Sequence, residues 1–442
     1  MTADGTTVGL LSTYPPTQCG LATFTAALAR HLGGDPGAVG VVRVVDEPDS
    51  HPDSEVVAHL VNGSPTSARD AVRVLDGYDV AVVQHEYGIF GGADGREVLA
   101  LVDALTVPLV VVTHTVLLEP TPEQRRILLH LLDVAAHVVT MTDTARARLL
   151  NHYGADPARV SVVPHGAEDH RALGPDVRAA RPADRRPTVL TWGLLGPGKG
   201  IEWAIDAMAE LRDLDLRYLV LGRTHPKVHE QHGEAYREGL VDRASALGVS
   251  DVVEFDASYL DVPDLARQVA AADVVLLPYD SEEQVTSGVL IEAVAAGRPV
   301  VSTGFPHAVE LLGDGTGLLV PRGDPAAIAR ALRRALTEPG LAARLQERAE
   351  AKAPDLVWPA VADRYRRLAH ELATAPPPEP DPAQPRRRRD GSAGTDGTDG
   401  PRPAGGPVPP GGVERRGAAH TRNGRRTVTL PGDATPSLVA TT

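Results

Sequence analysis

The sequence predicts an α/β protein with two doubly wound parallel sheets and a disordered C-terminal tail. Short apolar runs alternate with helical segments over residues 1–170 and again over 188–355, which is typical of parallel sheets covered by helices. Loops bearing glycine or histidine follow several of these runs, where the carboxyl ends of such strands lie. We therefore expect two domains at those ranges and a linker at 171–187. Residues 375–442 contain almost no apolar residues and are expected to be disordered.

The composition fits a soluble globular protein of a reducing compartment. At 442 residues, 42% of them hydrophobic, the chain is long enough for two domains with their own cores. Its single cysteine, Cys19, excludes an internal disulfide. The first residues lack the features of a signal peptide, and no apolar run approaches the roughly 20 residues of a membrane span. The net charge of −14 argues against nucleic acid as a partner. A cytoplasmic location is the expectation.

The elements of the first domain follow from its apolar runs. The predicted strands are residues 8–12, 39–45, 78–84, 109–113, 137–141 and 160–163. The predicted helices are 21–32, 123–132 and 143–153. Residues 46–68, rich in Asp, Pro, Ser and His, are predicted to be a long irregular connection. Gly20, in the loop after the first strand, could bring a backbone N–H to a phosphate or sugar, or could only permit a tight turn.

Three loops of the first domain carry candidate site residues. His85 and Glu86 follow the third predicted strand, His114 follows the fourth, and His165 with Gly166 follows the last. Because the strands of a doubly wound sheet end at one edge, a shared cleft is favoured over three unrelated histidines. A structural role for each histidine is the alternative.

The second domain shows the same alternation. Its predicted strands are residues 188–192, 216–222, 252–255, 274–277, 298–302 and 316–320. Its predicted helices are 201–211, 234–247, 262–271, 325–336 and 341–349, and a last helix is predicted at 359–373. The loop 193–200 places glycines around Lys199, as a phosphate cradle does, but its spacing differs from that of a P-loop.

The stretch 278–302 is the most informative part of the second domain. A polar loop leads to Ser287 and Gly288, which open a helix that Gly297 ends. A helix N-terminus beyond the carboxyl end of a strand is where open α/β sheets bind anions. Glu292, inside this helix, could accept hydrogen bonds from vicinal sugar hydroxyls. The alternative is an ordinary βαβ unit with a surface glutamate.

An ordered set of sequence pieces resembles glycosyltransferase family 4, which has the GT-B fold of two Rossmann-like domains facing a cleft. The pieces are residues 15–20, the strand ending in His114, 163–166, 192–200, 273–278 and 292–301. The resemblance covers residues 5–374. It implies that a helix over 356–374 packs back on the first domain. It also implies transfer of a hexose from a nucleoside diphosphate sugar, with retention at the anomeric carbon and without a metal or cofactor.

The resemblance implies roles on the donor side of the cleft. Glu292 would hold the donor ribose, and Lys199, assisted by Arg223, would neutralise the diphosphate as it leaves. Positioned cations and dipoles of this kind are commonly the largest catalytic contribution. The backbone groups expected at the donor belong to Gly193, Ser287, Gly288 and Val289.

On the other side of the cleft, the resemblance places His114 near the reacting carbon of the donor sugar. Gly20 would bring an amide to the donor or acceptor. His165 and Gly166 would line the cleft, and we assign His85 and Glu86 to the acceptor side as well.

Two positions depart from the family pattern. Gln284 stands where the family has a glutamate, so a charge-stabilising role is in doubt there, although its amide can still bond a sugar hydroxyl and we keep it as a catalytic candidate. Glu282 or Glu283 could substitute if the loop is re-registered. Leu194 replaces the usual arginine and leaves Lys199 as the main cation.

The substrates are only partly indicated. Residues 85–91, 224–226 and 284–288 resemble a bacterial subgroup with mannose-type donors, so GDP-mannose or a UDP-hexose is expected. The acceptor, a glycan, lipid or small molecule, is not identified, and the first-domain loops 46–68, 86–96 and 115–122 should shape its site. Peripheral contact of the protein with a membrane is a further alternative.

Other function classes remain as alternatives. A nucleotide-sugar epimerase or hydrolase would act without an acceptor. A pseudo-enzyme that binds nucleotide sugar without turnover is supported only by Gln284 and Leu194. An NAD-dependent dehydrogenase is disfavoured, because the first loop lacks the G-x-G-x-x-G pattern.

Overall fold

The structure, a computed structural model, describes residues 5–34, 36–48, 54–171 and 185–376. Most of the predicted linker, residues 172–184, and the predicted disordered tail beyond residue 376 lie outside these ranges. In the described ranges, no helix is both long enough and apolar enough to span a bilayer.

The first sheet has seven parallel strands in the order β3-β2-β1-β4-β5-β6-β7. In chain order they are β1 Val8–Ser12, β2 Val39–Val45, β3 Val56–Val61, β4 Val80–His85, β5 Leu109–Thr113, β6 His137–Thr140 and β7 Val160–Val162. The helices that cover it are α1 Gly20–Leu32, α2 Pro65–Leu75, α3 Val98–Ala104, α4 Pro122–Val134 and α5 Asp143–Tyr153. The central strands are buried on both faces, which explains their continuous apolar runs.

The prediction of an irregular connection over residues 46–68 is wrong. It contains β3 and the start of α2, which has Ser64 as its N-cap and Pro65 in its first turn. β3 is an edge strand whose residues are mostly half-exposed, and His59 interrupts its apolar run. The short helix α3 was not predicted either.

The second sheet has six parallel strands in the order β10-β9-β8-β11-β12-β13. They are β8 Thr188–Trp192, β9 Arg217–Leu221, β10 Val253–Asp256, β11 Val274–Leu277, β12 Val300–Thr303 and β13 Leu318–Val320. The helices are α6 Ile201–Ala209, α7 Pro226–His232, α8 Ala235–Ala246, α9 Val262–Ala271, α10 Gly288–Ala295, α11 Pro306–Leu312, α12 Pro325–Thr337 and α13 Leu341–Leu356. The short helices α7 and α11 were not predicted, and α13 runs past the predicted end at 349 and includes Pro354. Two doubly wound parallel sheets, as expected for the GT-B fold, are confirmed.

The last helix, α14 Trp358–Thr374, lies against the first sheet and α1. Ala167 and Val357 form a parallel bridge where the chain passes between the domains and back. The amide of Trp358 donates to the carbonyl of Ala167 at 2.9 Å. The Trp358 ring packs edge-on to Phe24 of α1, with 5.1 Å between the ring centroids. These contacts join the start of α14 to the first domain.

Replacing Gly166 by alanine is expected to destabilise the protein. A Cβ at Gly166 would lie 2.2 Å from Cε3 of the buried Trp358 ring. The ring must therefore move, at a cost of about 1–3 kcal/mol in unfolding free energy. Denaturant unfolding of the variant would measure this loss.

The matched control is Gly239→Ala on the exposed face of α8, where an added Cβ meets nothing within 4 Å. It should raise helix stability by about 0.5–1 kcal/mol. Equal stabilities for the two alanine variants would contradict the packing of Trp358 on Gly166.

Candidate functional site

The two sheets each reverse their strand order at one point, between β1 and β4 and between β8 and β11. Open α/β sheets bind ligands outside the carboxyl ends of strands at such a point. The loops that follow these strands carry most of the residues singled out from the sequence. The fold thus brings them to two facing edges.

In the second domain, the loops after β8 and β11 touch through their backbones. Gly200 has φ of +63°, and a Cβ there would lie 1.9 Å from the carbonyl oxygen of Pro278. Only glycine allows this approach. The amide of Asp280 donates to the carbonyl of Gly198 at 2.9 Å. The glycines of loop 193–200 therefore fix Lys199 against the loop after β11.

Lys199 is a buried cation with no counter-ion among the described residues. Its side chain is 7% exposed, and Nζ lies 4.5 Å from the centroid of the Tyr279 ring. Within the described ranges no carboxylate or carbonyl bonds to Nζ. Burial lowers the pKa of Lys199 to about 8. Tyr279 is itself held by Phe305, at 5.3 Å between ring centroids. A partly desolvated cation of this kind favours an anionic ligand.

The N-terminus of α10 offers two free amides rather than the predicted three. Ser287 caps the helix, with its Oγ accepting from the amide of Leu290 at 3.2 Å. Its own amide donates to Nδ1 of His307 at 2.8 Å. Burial lowers the pKa of His307 to about 3, so the ring is neutral and can accept. In the described part of the chain, the amides of Gly288 and Val289 have no acceptor.

Glu292 is bonded to the segment that connects the domains. Its Oε1 accepts from the amide of Glu168, and its Oε2 lies 3.2 Å from Nε2 of the buried His170. Burial raises the pKa of the Glu292 carboxyl. Each carboxylate oxygen keeps a second lone pair, so two further donors can bind. His170 was not singled out from the sequence, because nothing in its local pattern marks it.

On the first-domain side, His114 and His165 both pack edge-on to Phe24 of α1. The ring centroids lie 5.1 Å and 5.0 Å from that of Phe24. His114 donates from Nε2 to Oε1 of Gln84 at 2.7 Å, and its Nδ1 has no partner among the described residues. Burial lowers the pKa to about 3 for His114 and about 4 for His165, so both rings are neutral. Gly20 begins α1, one turn before Phe24.

His165 also reaches the second domain. A Cβ at Gly288 would lie 2.9 Å from both Cε1 and Nε2 of the His165 ring. The imidazole therefore lies directly on the N-terminal turn of α10. The first domain and the two free amides of α10 meet at this residue.

His85 and Glu86 are buried behind the cleft residues. Both ring nitrogens of His85 lack partners among the described residues, and burial lowers its pKa to about 4. Glu86 accepts from Thr115 Oγ1 at 2.6 Å and from the amide of Tyr87 at 3.1 Å. Burial raises the pKa of Glu86 to about 7. Glu86 thus ties the loop after β4 to the loop after β5.

Neither acidic neighbour of Gln284 takes the place of the missing glutamate. Gln284 is buried, and its Nε2 donates to the carbonyl of Thr286 at 3.1 Å. Glu283 pairs with Arg148 of the first domain, and Glu282 pairs with Arg322 at the surface. The expected substitution by either carboxylate is therefore not present.

Arg223 is exposed. Its Nε donates to the carbonyl of Ala257, in the loop after β10, at 3.4 Å. The backbone of Arg223 lies against the loop that carries Lys199, because its carbonyl accepts from the amide of Leu195 at 2.7 Å. Assistance of Lys199 by Arg223 stays a prediction.

Two family models match the chain. The first, described as "Glycosyltransferase Family 4", matches residues 19–171, and the second, "Glycosyl transferases group 1", matches residues 186–338. Together they cover both sheets except β1, which precedes the first match.

Curated relatives carry the name D-inositol 3-phosphate glycosyltransferase. The protein of Kineococcus radiotolerans is 34% identical over 54% of this chain and 59% of its own length. That of Corynebacterium efficiens is 33% identical over 62% of this chain and 68% of its own length. That of Rhodococcus jostii is 35% identical, and this chain spans 50% of its length.

Two solved structures share the fold. The Anabaena protein HepE, in complex with UDP and glucose, has a TM-score of 0.65 and 17% identity, over 83% of this chain and 100% of that chain. A sucrose-phosphate synthase from Thermosynechococcus elongatus has a TM-score of 0.66 and 21% identity, over 83% of this chain and 99% of its own.

Proposed function

Because the chain belongs to glycosyltransferase family 4, we propose that it transfers a hexose from a nucleoside diphosphate sugar to a hydroxyl group, with retention at the anomeric carbon. The observation that carries this function is the buried cation of Lys199, which has no counter-ion among the described residues, in a loop whose Gly193 faces Val289 at the N-terminus of α10 with its two free amides. A diphosphate supplies the charge and the acceptor oxygens that these groups lack.

The remaining contacts of the donor follow from the same geometry. Glu292 accepts hydrogen bonds from the ribose hydroxyls. It uses the carboxylate lone pairs that are not bonded to His170 or to the amide of Glu168. Because His165 lies on Gly288, the transferred hexose is placed between α10 and the first domain. His114 then offers its unpartnered Nδ1 as an acceptor for a sugar hydroxyl. The bond between the sugar and the diphosphate breaks, and the diphosphate leaves with the electron pair. A bond to the acceptor oxygen forms as the acceptor hydroxyl gives its proton to the leaving phosphate oxygen.

The acceptor is proposed to be a polyol, and D-inositol 3-phosphate is the first compound to test because the curated relatives carry that name. The nucleotide of the donor is UDP or GDP. A mannose-type donor follows only from the resemblance of the loop sequences, whereas HepE, which shares the fold, has UDP bound.

The function is tested with the full chain in two steps. Thermal unfolding is measured with UDP, GDP, UDP-glucose and GDP-mannose, since a ligand at a hundredfold excess over Kd stabilises the native state by about 2.7 kcal/mol. The stabilising donor is then incubated with D-inositol 3-phosphate or myo-inositol, and the anomeric configuration of the product is read by NMR.

Each outcome assigns a function class. A glycosylated acceptor with retained configuration supports the proposal. Free hexose or an epimerised donor in the absence of acceptor would indicate a hydrolase or epimerase instead. Stabilisation by a nucleotide without any turnover would indicate a pseudo-enzyme, and the absence of stabilisation by all four ligands would contradict the proposed donor site.

Affinity for the donor nucleotide is expected to fall as the pH rises through about 8. The pKa of Lys199 in the unliganded protein is about 8, so above this pH the cation that meets the diphosphate is lost. The stability of the unliganded protein should instead rise with pH between about 8 and about 10.4. Over this interval the unfolded lysine still holds its proton and the folded one has lost it, so raising the pH favours the folded state. Titration calorimetry with UDP or GDP between about pH 7 and about pH 9.5 would measure the affinity.

The control is Lys199→Arg, which stays charged over the whole range. Its affinity should not depend on pH there. A wild-type affinity that is equally flat would show that Lys199 does not meet the diphosphate as a titrating cation.

A further inference from the structure

Arg148 of α5 is a buried arginine that joins the two domains. Its side chain is 7% exposed. Nη1 donates to the carbonyl of Val116 at 2.7 Å within the first domain. The same nitrogen lies 2.6 Å from Oε2 and 3.1 Å from the carbonyl oxygen of Glu283 in the second domain. One guanidinium nitrogen thus contacts loops from both sides of the cleft.

Both loops carry residues of the proposed site. Val116 and Leu118 follow His114 by two and four residues, and Glu283 directly precedes Gln284. The amide of Leu118 donates to the same Oε2 of Glu283 at 3.1 Å. Glu283 is therefore held by two first-domain donors at once, and the loop that leads to the N-terminus of α10 is fixed relative to the loop after His114.

An exposed ion pair in the same loop serves as a comparison for the contribution of the Arg148–Glu283 pair. Arg322 pairs with Glu282, which is 76% exposed, and both residues belong to the second domain. An exposed pair of this kind contributes little to stability. Arg148 is largely dehydrated, whereas Glu283 is 28% exposed, so loss of Glu283 leaves a buried guanidinium charge without its carboxylate. Besides this pair, the Leu118 amide and the packing of Val285 in the first-domain core also hold the Gln284 loop to the first domain.

We infer that Arg148 is a positioning residue for sugar transfer: through Glu283 it sets the closed separation of the His114 and Gln284 loops and keeps water from the donor. This role presupposes the transfer reaction proposed above. Its consequence is that loosening the pair lowers the rate of transfer and exposes the donor sugar to hydrolysis, because closure both aligns the reactants and excludes water.

The test compares Arg148→Gln with Arg322→Gln, which is the same substitution in the neighbouring exposed pair. The substrates are UDP-glucose or GDP-mannose with D-inositol 3-phosphate or myo-inositol. For Arg148→Gln we expect kcat for transfer to fall about tenfold or more while KM for the donor changes less than about threefold. The hydrolysed share of the donor should rise about threefold or more. Arg322→Gln should stay within about twofold of the wild type.

Two further variants separate positioning from folding. Arg148→Lys keeps the charge without the planar fork and should recover part of kcat. Glu283→Gln keeps the shape and removes only the carboxylate, and it carries the test if Arg148→Gln does not fold. A folded Arg148→Gln or Glu283→Gln with wild-type kcat and wild-type hydrolysis would overturn the inference.

Amide hydrogen exchange gives a readout that needs no activity. The peptide over residues 115–121 contains the Leu118 amide that donates to Glu283. It should exchange faster in Arg148→Gln than in the wild type or Arg322→Gln. An unchanged exchange rate of this peptide would contradict the inference that Arg148 fixes the two loops relative to each other. Absence of transfer in the wild type, with faster exchange in Arg148→Gln, would instead overturn the proposed function alone.

Discussion

Replacing Lys199 by methionine is expected to lower kcat for sugar transfer by about 100-fold to 1,000-fold, as the loss of a preorganised charge-stabilising group typically does. The diphosphate gains charge as the sugar leaves, and Lys199 is a buried cation in the loop that meets Val289 at the start of α10. Methionine keeps the length of the side chain over Tyr279 but carries no charge. Steady-state kinetics with saturating donor would measure the effect.

The free energy of unfolding of Lys199→Met should not fall with kcat. Burial of an uncompensated cation costs free energy, and an apolar side chain of similar size removes that cost. We therefore expect the unliganded variant to be at least as stable as the wild type in denaturant unfolding. This separates a loss of catalysis from a loss of fold.

The matched control is Lys352→Met on α13. Lys352 pairs with Asp314 at 3.0 Å and donates to the carbonyl of Leu311, away from the cleft loops. Its removal should change kcat less than about twofold. If Lys199→Met transferred sugar as fast as Lys352→Met, the proposed role of Lys199 would be wrong.

Replacing Glu292 by alanine is expected to weaken nucleotide binding by about 100-fold, which corresponds to about 2–3 kcal/mol. A carboxylate that accepts from two ribose hydroxyls makes charge-assisted hydrogen bonds, and these are stronger than neutral ones. Titration calorimetry with the nucleotide that stabilises the wild type would measure the change.

The alanine variant has a second effect that must be separated. The amide of Glu168 and Nε2 of the buried His170 would lose their acceptor, which destabilises the connection between the domains by about 1–3 kcal/mol. Glu292→Gln keeps one acceptor oxygen and reduces this loss. It should fold as the wild type does and still bind the nucleotide more weakly.

Pyrophosphate is the control ligand for Glu292. It has the two phosphates but no ribose, so its affinity should be nearly unchanged in Glu292→Gln. An equal loss of affinity for pyrophosphate and for the nucleotide would show that the site has collapsed, and the ribose contact would then be contradicted.

The sequence predicted the strand–loop–helix units that form the site, because each unit is encoded within a short stretch of chain. The glycines around Lys199 and the Ser287-Gly288 start of α10 are local signals of backbone conformation and capping. The apolar runs of buried parallel strands are equally local. The edge strand β3 escaped prediction because one exposed side removes that signal.

By itself, then, the sequence determined that two doubly wound sheets form and which loops leave their carboxyl ends. Only the tertiary structure decided what those side chains meet. His307 accepts a hydrogen bond from the Ser287 amide, 20 residues away in the chain. His170 bonds to Glu292 across 122 residues, and Arg148 bonds to Glu283 across 135 residues. Such contacts depend on helix packing and on how the domains face each other, and no local periodicity carries that information.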